Sequence, residues 1–339
     1  MGKKGVLLVN LGTPDSAATP DVRKYLNEFL MDGRVIDINP VSRALLVRGI
    51  IVPFRAPKSA KLYREIWSDE SGSPLLYYSL KQQKLLQQSL GDEYQVELAM
   101  RYQSPSIETA LERLKAALVS EIRVIPMFPQ YASASTGSVI EKVMGLVGQW
   151  QTIPNISFVN SFHDNALMIE TFADNGKKHQ PENYDHILFS FHGLPQRQLM
   201  KCDHTHNHCL QSADCCQTLT DVNKFCYSAQ SHHTAKLIAE KLGLSRDQYT
   251  VCFQSRLGND PWVQPYTSQV IAQLANQGKK KLLVFCPAFV ADCLETVYEV
   301  SVEYDGEFKE KGGEHVQLVE SLNDHPKFIE ALVGLVKSV

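Results

Sequence analysis

The sequence lacks several patterns that define common functional classes. It has no GxGxxG fingerprint, so a nicotinamide-dependent enzyme loses its best sequence support. It has no basic cluster, and with a net charge of -3 it has no general attraction to phosphates, so no nucleic-acid partner is expected. No apolar run is long enough to span a bilayer, and no signal-peptide cleavage pattern precedes the first predicted strand. We therefore expect a cytoplasmic protein.

The cysteine content of the chain bears on its redox state and on metal binding. Since disulfides are rare in the cytoplasm, the eight cysteines are interpreted as thiols or metal ligands. Five of them fall between Cys202 and Cys226, in a polar and poorly periodic stretch that lacks the CxxC pair of a zinc ribbon. A loop with so little apolar core can be ordered by thiolates that share a metal. The stretch predicts a metal-binding insertion over residues 198–227, with unligated thiols as the alternative.

The rest of the chain alternates between short apolar strands and helical stretches. With 339 residues, 44% of them hydrophobic, it can bury a large core. The predicted strands are 6–9, 95–100, 122–126, 156–159, 187–189, 249–253 and 281–285. The strand at 156–159 is expected to open a second set. Because βαβ repeats build parallel sheets, the sequence predicts an α/β fold with two Rossmann-like halves that face a shared cleft.

The stretch ILFSFHGLPQR, residues 187–197, places a histidine where active sites are common. An apolar strand delivers His192 to its carboxyl end, just before Gly193 and Pro195 break the backbone. Ligands of open α/β sheets bind beyond the carboxyl ends of the strands, and an imidazole there can act as a base or a metal ligand near neutral pH. A hydrogen-bonded structural histidine is an equal alternative.

A second polar group follows the last predicted strand. If a helix begins at Asp292, then Glu295, Glu299 and Glu303 recur every four residues along one face. Like charges at this spacing repel, so the row is either a solvated face or a site that holds protons or cations. Asp292 and Cys293 stand at the helix start, directly after a strand end, and this placement favours a site.

The mostly apolar segment at residues 41–54 carries basic residues and is too short to span a bilayer. Two interpretations stay open. It is a core-packed helix with a basic rim, or it is a hydrophobic lip that admits an apolar ligand or touches lipid headgroups.

Several motifs together resemble the ferrochelatases, a family that inserts ferrous iron into a porphyrin in the last step of heme synthesis. The most specific are FSFHGLPQR at 189–197, FQSRLGNDPWVQPYT at 253–267 and PAFVADCLETVYEV at 287–300; supporting pieces are VNLGTPDS at 9–16, RAPK at 55–58 and MRYQSPSIETAL at 100–111. The match covers nearly the whole chain. The resemblance implies a metal chelatase with protoporphyrin IX and ferrous iron (Fe2+) as substrates.

The resemblance also implies the domain organisation. Each of two Rossmann-like domains is expected to hold a parallel four-stranded sheet flanked by helices, with the active-site cleft between them. We expect an N-terminal domain with a porphyrin-binding lip over 1–155, a C-terminal domain with the catalytic histidine and the cysteine-rich insertion over 156–310, and a C-terminal helix that packs on the first domain over 311–339. The lip adds the expectation of peripheral contact with the inner face of the membrane.

Metal insertion requires the loss of two pyrrole protons, and the resemblance assigns residues to this task. A neutral His192 can accept one proton, and Glu295 can receive or relay another. These two match the family's central catalytic pair, with Asp292 and Cys293 beside them. The residues that match its proton or metal path are His192, Glu295, Glu299 and Glu303. The residues that match positions near the porphyrin are Arg55, Lys58, Tyr63, Ser73, Arg101, Tyr102, Ser255 and Trp262.

Some bacterial ferrochelatases carry an internal insertion with four cysteines that bind a [2Fe-2S] cluster, and thiolate ligation suits such a cluster. The residues of this chain that resemble those ligands are Cys209, Cys215, Cys216 and Cys226. Cys202 competes for the fourth position, and a Zn2+ site in the insertion is the alternative.

Other functions stay open. The substrate can be coproporphyrin, and a related chelatase can insert another metal into a different tetrapyrrole, because metal choice depends on fine geometry. From a different class, the chain can be a non-catalytic protein that binds a porphyrin or a metal. Such a carrier would show no turnover.

Overall fold

The computed structural model describes residues 2–258 and 260–338, and the chain divides into two compact units. The first unit runs up to Phe128, includes Ala132–Ser161 and takes in the C-terminal residues from Ile329. The second unit contains Pro129–Tyr131 and Phe162–Phe328. The division that the sequence places after residue 155 therefore comes slightly too early.

The first unit is built on a parallel sheet. Its strands are β1 (Lys4–Gly12), β2 (Tyr94–Tyr102), β3 (Glu121–Pro126) and β4 (Asn155–Phe158), in the order β2-β1-β3-β4. Its helices are α1 (Thr19–Leu30), α2 (Pro40–Leu46), α3 (Val52–Ile66), α4 (Pro74–Leu90), α5 (Ile107–Ala116) and α6 (Ser138–Val147), with π-helical segments at Val47–Ile51 and Ser133–Gly137 and a 3₁₀ turn at Gly91–Glu93. The central strand β1 is an almost continuous buried run, as expected for a strand covered on both faces.

Helix α5 illustrates how the sequence builds this unit. Ser106 caps the helix by accepting a hydrogen bond from the Thr109 backbone N–H at 3.1 Å. The buried apolar residues recur at helical spacing and pack with the sheet in one core; they are Ile107, Ala110, Leu111 and Leu114.

The second unit repeats the architecture. Its strands are β5 (His186–His192), β6 (Tyr249–Gln254), β7 (Lys281–Phe285) and β8 (His315–Leu318), all parallel in the order β6-β5-β7-β8. Its helices are α7 (Ala166–Lys178), α8 (Gln196–Met200), α9 (Tyr227–Leu242), α10 (Thr267–Asn276) and α11 (Asp305–Glu310), with a π-helix at Leu294–Tyr304 and 3₁₀ turns at Pro181–Asn183 and Arg246–Gln248. The last helix, α12, spans Pro326–Lys337. Two four-stranded parallel sheets flanked by helices confirm the predicted α/β fold class.

Two details differ from the sequence-based expectations. The strand expected to open the second set is β4, which pairs with β3 and completes the first sheet. An apolar run does not encode which strand it pairs with. The segment expected as a C-terminal helix from residue 311 begins with β8, whose four residues are too few to show a clear alternation. Two residues later in this segment accept hydrogen bonds from Arg123 of β3. They are the Leu335 carbonyl and the Ser338 hydroxyl, both at 3.2 Å.

Within the described ranges, none of the helices has the length and apolar character needed to cross a membrane.

Candidate active site

His192 stands at the carboxyl end of β5, directly before a close backbone contact. Its register partner on β6 is Gln254, and the Gly193 N–H donates to the Gln254 carbonyl at 2.8 Å. A Cβ atom at residue 193 would lie 2.9 Å from that oxygen and 3.1 Å from the Trp262 ring. Only glycine therefore permits this approach, which fixes the chain immediately after His192.

The His192 ring has one nitrogen in use. Nδ1 lies 2.7 Å from the Gly193 carbonyl oxygen, and because a carbonyl only accepts, Nδ1 carries a proton. In the neutral ring the lone pair is then on Nε2, which makes no hydrogen bond to any described residue. The centroids of Trp262 and Phe289 lie 6.4 and 6.5 Å from that of His192. The arrangement provides a proton acceptor beside aromatic rings.

The predicted row of glutamates lies on a π-helix, Leu294–Tyr304, rather than on an α-helix. Such segments are rare and often occur at functional sites, and residue patterns alone do not distinguish them from α-helices. Residues five apart come into register in a π-helix, and the Tyr304 hydroxyl donates to Glu299 Oε1 at 2.8 Å. The wider helix thus brings an extra donor to the middle glutamate.

Glu299 is the most firmly held carboxylate of the row. Gln254 Nε2 donates to it at 3.0 Å, the Ser255 backbone N–H at 3.0 Å and the Ser255 hydroxyl at 2.6 Å. Ser255 has a φ of 63°, a left-handed conformation that non-glycine residues rarely adopt. Backbone strain of this kind clusters at functional sites. Here it occurs at the residue whose N–H and hydroxyl both donate to the Glu299 carboxylate. Ser255, expected at the porphyrin, therefore contacts and positions Glu299.

Gln254 connects the histidine strand to the glutamate helix, and the sequence analysis missed it. Its Nε2 also donates to the Glu295 carbonyl at 2.8 Å, while its Oε1 accepts from the Ser190 hydroxyl at 2.6 Å. The available signal was a glutamine at the end of the apolar strand YTVCFQ. A buried side-chain amide at such a point needs partners on neighbouring elements, and here these are β5 and the π-helix.

The two outer glutamates of the row differ in environment. Glu295 is half-buried in the first turn of the π-helix, next to the buried Cys293 that caps it. Burial and the charge of Glu295 raise the pKa of the Cys293 thiol well above its usual range, so the thiol stays protonated and donates to Glu295. Glu303 is exposed, and partial desolvation together with Glu299 and Glu307 raises the pKa of its carboxyl.

Asp292, expected to take part in catalysis, is occupied by other hydrogen bonds. Its carboxylate accepts from Thr296 Oγ1 at 3.1 Å, the Ser321 N–H at 3.2 Å and Asn323 Nδ2 at 2.7 Å. The π-helix begins at Leu294, so Asp292 lies before its cap. These contacts anchor the start of the helix to the segment that follows β8.

In the first unit, Arg101 and Tyr102 converge on Asp32. Arg101 Nη2 lies 2.6 Å from Asp32 Oδ2, the Tyr102 hydroxyl donates to the same oxygen at 2.9 Å, and Ser138 donates at 2.5 Å. Burial opposes the ionisation of Asp32. Its pKa is nevertheless lowered, because these hydrogen bonds, a further hydrogen bond from the Arg34 N–H, and the charge of Arg101 all stabilise the carboxylate. Tyr102, which the resemblance places near the porphyrin, is fully buried.

The remaining predicted porphyrin contacts lie on α3 and just before α4. Arg55 and Lys58 are exposed cations on α3. Tyr63, on the same helix, is buried and makes an edge contact with Trp67 at 6.4 Å between ring centroids. Ser73 is buried and occupies the residue before α4.

The cysteine-rich insertion folds so that five cysteines line one small cavity; these are Cys202, Cys209, Cys215, Cys216 and Cys226. All eight cysteines of the chain are free thiols. The Asp203 carboxylate accepts from the N–H groups of Cys209 at 2.8 Å and His208 at 2.9 Å. Asn223 Nδ2 donates to the Cys215 carbonyl at 2.9 Å. Side chains therefore hold the loop backbone in a form that gathers the thiols.

The thiols of this cavity do not titrate alike. Cys226 lies at the N-terminus of α9, where the Cys216 thiol and the N–H groups of Ala229 and Ser228 outweigh burial and lower its pKa to about 7. Burial raises the pKa of Cys209 to about 12. Neighbouring thiols of this kind form a donor set that a metal can bind by displacing their protons. Cys202 lies at the same cavity, so the structure does not separate it from the four predicted ligands.

Comparison with known proteins gives consistent results. A family model described as ferrochelatase matches residues 3–339. Ferrochelatases of Legionella pneumophila (strain Paris) and Opitutus terrae are each 44% identical, over 98% and 100% of this chain and 98% of each relative. That of Coxiella burnetii (strain Dugway 5J108-111) is 41% identical, over 99% of this chain and 93% of the relative.

Two solved structures share the fold. SirB from Bacillus subtilis with Fe3+ has a TM-score of 0.52 at 12% identity, and the sirohydrochlorin chelatase SirB of the subspecies spizizenii in complex with cobalt has a TM-score of 0.51 at 11% identity. Each alignment covers 99% of this chain and 94% of the other.

Proposed function

We propose that this chain, which belongs to the ferrochelatase family of metal chelatases, inserts ferrous iron into protoporphyrin IX, releasing two protons and forming heme. One observation carries the proposal: Gln254 ties the strand of His192 to the helix that carries Glu295 and Glu299. A proton acceptor and a row of carboxylates are what the loss of two pyrrole protons and the attraction of a divalent cation require.

The two bases have separate tasks in this proposal. His192 Nε2 accepts one pyrrole proton, and the bond from Nδ1 to the Gly193 carbonyl stabilises the imidazolium that forms. Glu295 accepts the second proton, with the protonated Cys293 thiol orienting its carboxylate. Glu299 and Glu303 continue the row toward the exposed end of the helix, where protons leave or iron arrives.

The porphyrin contacts follow from the same chemistry. Arg55 and Lys58 are exposed cations suited to the two propionate carboxylates. The buried Trp262 ring, near His192, stacks against the macrocycle. The proposal also assigns Tyr63, Ser73, Arg101 and Tyr102 to porphyrin binding; they occupy buried or half-buried positions in the first unit.

An anaerobic assay of the purified, reduced protein with ferrous iron and protoporphyrin IX tests the proposal. We expect the visible spectrum of the porphyrin to convert to that of heme with multiple turnovers. Faster turnover with coproporphyrin, or with another metal, would show that this porphyrin or metal is the preferred substrate. Porphyrin binding with no turnover of any porphyrin and metal tested would contradict an enzymatic function and favour a non-catalytic carrier.

We also propose that Cys209, Cys215, Cys216 and Cys226 hold a [2Fe-2S] cluster, which would supply a one-electron redox centre. These cysteines line one cavity, and the donor set consists of thiols. Among the described residues, these cysteines form no group of three whose sulfur atoms all lie within 4.8 Å of one another. This spread suits two irons better than a single zinc ion.

Replacing both adjacent thiols, Cys215→Ser with Cys216→Ser, should remove the cluster. We expect anaerobically purified double variant to be colourless, with iron and sulfide absent, because two of four ligands are lost. Cys252→Ala, a buried cysteine on β6 outside the insertion, is the matched control and should keep the spectrum. Cys202→Ser should keep it as well. A full iron-sulfur spectrum in the double variant would show that the ligand set is wrong.

Finally, we propose that the surface formed by α2, the following π-helical segment and α3 makes peripheral contact with the membrane. Its apolar side chains are exposed, with Leu45 at 70% and Phe54 at 72%, and Arg48 is an exposed cation beside them. Co-sedimentation with vesicles of anionic lipid should occur and should weaken at least several-fold for Leu45→Ser with Phe54→Ser. Leu118→Ser, an exposed leucine after α5, is the control. Wild-type protein that stays in the supernatant would contradict the contact.

A further inference from the structure

A separate group of possible metal ligands lies outside all the residues assigned above. His163, Asp164 and His233 each offer one donor atom, and these atoms all lie within 4.8 Å of one another. His163 and Asp164 occupy the turn before α7, and His233 lies on α9. Their distance along the chain explains why no sequence motif drew attention to them.

The histidines of this group lack the partners that buried polar groups normally have. His163 is 6% exposed, and neither Nδ1 nor Nε2 bonds to any described residue. His233 Nδ1 is also buried and unpartnered within the described chain, and the two ring centroids are 5.4 Å apart. Buried side-chain nitrogens almost always have a hydrogen-bond partner. Three unpaired nitrogens beside a carboxylate therefore indicate a ligand that the protein itself does not supply.

The surrounding structure holds the group in place. The Asn165 side chain caps α7 by accepting from the Met168 N–H at 3.1 Å, and the Asn165 N–H donates to the Phe162 carbonyl at 3.0 Å, which closes the turn. The Thr234 hydroxyl donates to the His163 carbonyl at 2.7 Å, one residue along α9 from His233. The turn and the helix are thus joined beside the three side chains, as a preorganised site requires.

We propose that His163, Asp164 and His233 bind a divalent first-row transition-metal ion, with Zn2+ as the probe. Two imidazoles and one carboxylate are a known ligand set for zinc and for ferrous iron and leave positions for water. Ligands roughly 2.1 Å from one ion are at most about 4.2 Å apart, so donor atoms that lie within 4.8 Å of one another need only a small approach to share an ion. The inference does not rest on the proposed iron insertion.

Zinc titration of chelator-treated, full-length protein, in competition with a chromophoric chelator, tests the site. We expect Asp164→Asn and His233→Gln each to weaken one equivalent of Zn2+ by about tenfold or more, since each removes a direct ligand. His315→Gln, an exposed histidine of β8, is the matched control and should not change this equivalent. His192→Ala and the Cys215→Ser, Cys216→Ser double variant should also retain it, which separates this site from those described above.

Asp164 is exposed, so Asp164→Asn should leave the thermal unfolding temperature in chelator unchanged. If His233→Gln fails to fold, the zinc affinity of Asp164→Asn alone tests the site. The inference is overturned if Asp164→Asn with His233→Gln binds as many equivalents of Zn2+ as the wild type, with the same affinity. Iron insertion is measured separately, and its absence in the wild type would leave the zinc result intact.

Discussion

His192→Ala should reduce the rate of porphyrin metallation by at least about 100-fold, because it removes a general base whose contribution is typically 10²- to 10⁴-fold. Nδ1 already donates to the Gly193 carbonyl, so Nε2 is the only ring nitrogen left to accept a pyrrole proton. Porphyrin binding should persist, since Trp262 and Phe289 remain. Initial rates of heme formation and porphyrin fluorescence quenching measure the two effects separately.

The matched control is His186→Ala. His186 begins the strand that His192 ends, and it is half-buried with Nε2 2.9 Å from the Thr250 hydroxyl. Its removal should leave the metallation rate within a few-fold of the wild type. Metallation at the wild-type rate by His192→Ala would exclude His192 from the mechanism, whatever the control does.

Glu299→Ala should be the most destabilising change in the row of glutamates. The carboxylate accepts from Gln254, Ser255 and Tyr304, and the variant leaves four donors without their acceptor. A buried donor without a partner costs about 1–3 kcal/mol, and water reaches this half-buried site in part, so we expect a total loss of about 3 kcal/mol. The midpoint of urea unfolding measures it, together with hydrogen exchange of peptides from β6 and the π-helix, because the two units need not unfold together.

Glu303→Ala provides the comparison on the same helix. Glu303 is exposed, and partial desolvation together with the neighbouring carboxylates Glu299 and Glu307 raises its pKa. Its removal relieves the repulsion and should change stability by less than about 0.5 kcal/mol. Equal urea midpoints for the Glu299 and Glu303 variants would show that the hydrogen bonds to Glu299 carry no stability. The row would then be a solvated face.

The motifs predicted the family correctly, and the match of the ferrochelatase model over residues 3–339 confirms it. They also marked Glu299 and Ser255, but as a path member and a porphyrin contact rather than as hydrogen-bonded partners. Asp292 was placed at the helix start and among the catalytic residues; in the structure it lies before the cap, and its carboxylate accepts hydrogen bonds from Ser321 and Asn323. Gln254 went unnoticed, since a single glutamine at a strand end has no periodic or spacing signal.

What the sequence alone determined is local: strands from apolar runs, helices from spacing and caps, a histidine at a strand end and a cluster of thiols in a polar loop. Each of these is encoded by residues that are neighbours along the chain. The tertiary structure alone decided that β4 closes the first sheet, that the glutamates lie on a π-helix and that His163 meets His233. These features depend on hydrogen bonds and packing between segments that are far apart along the chain. No short stretch of sequence therefore encodes them.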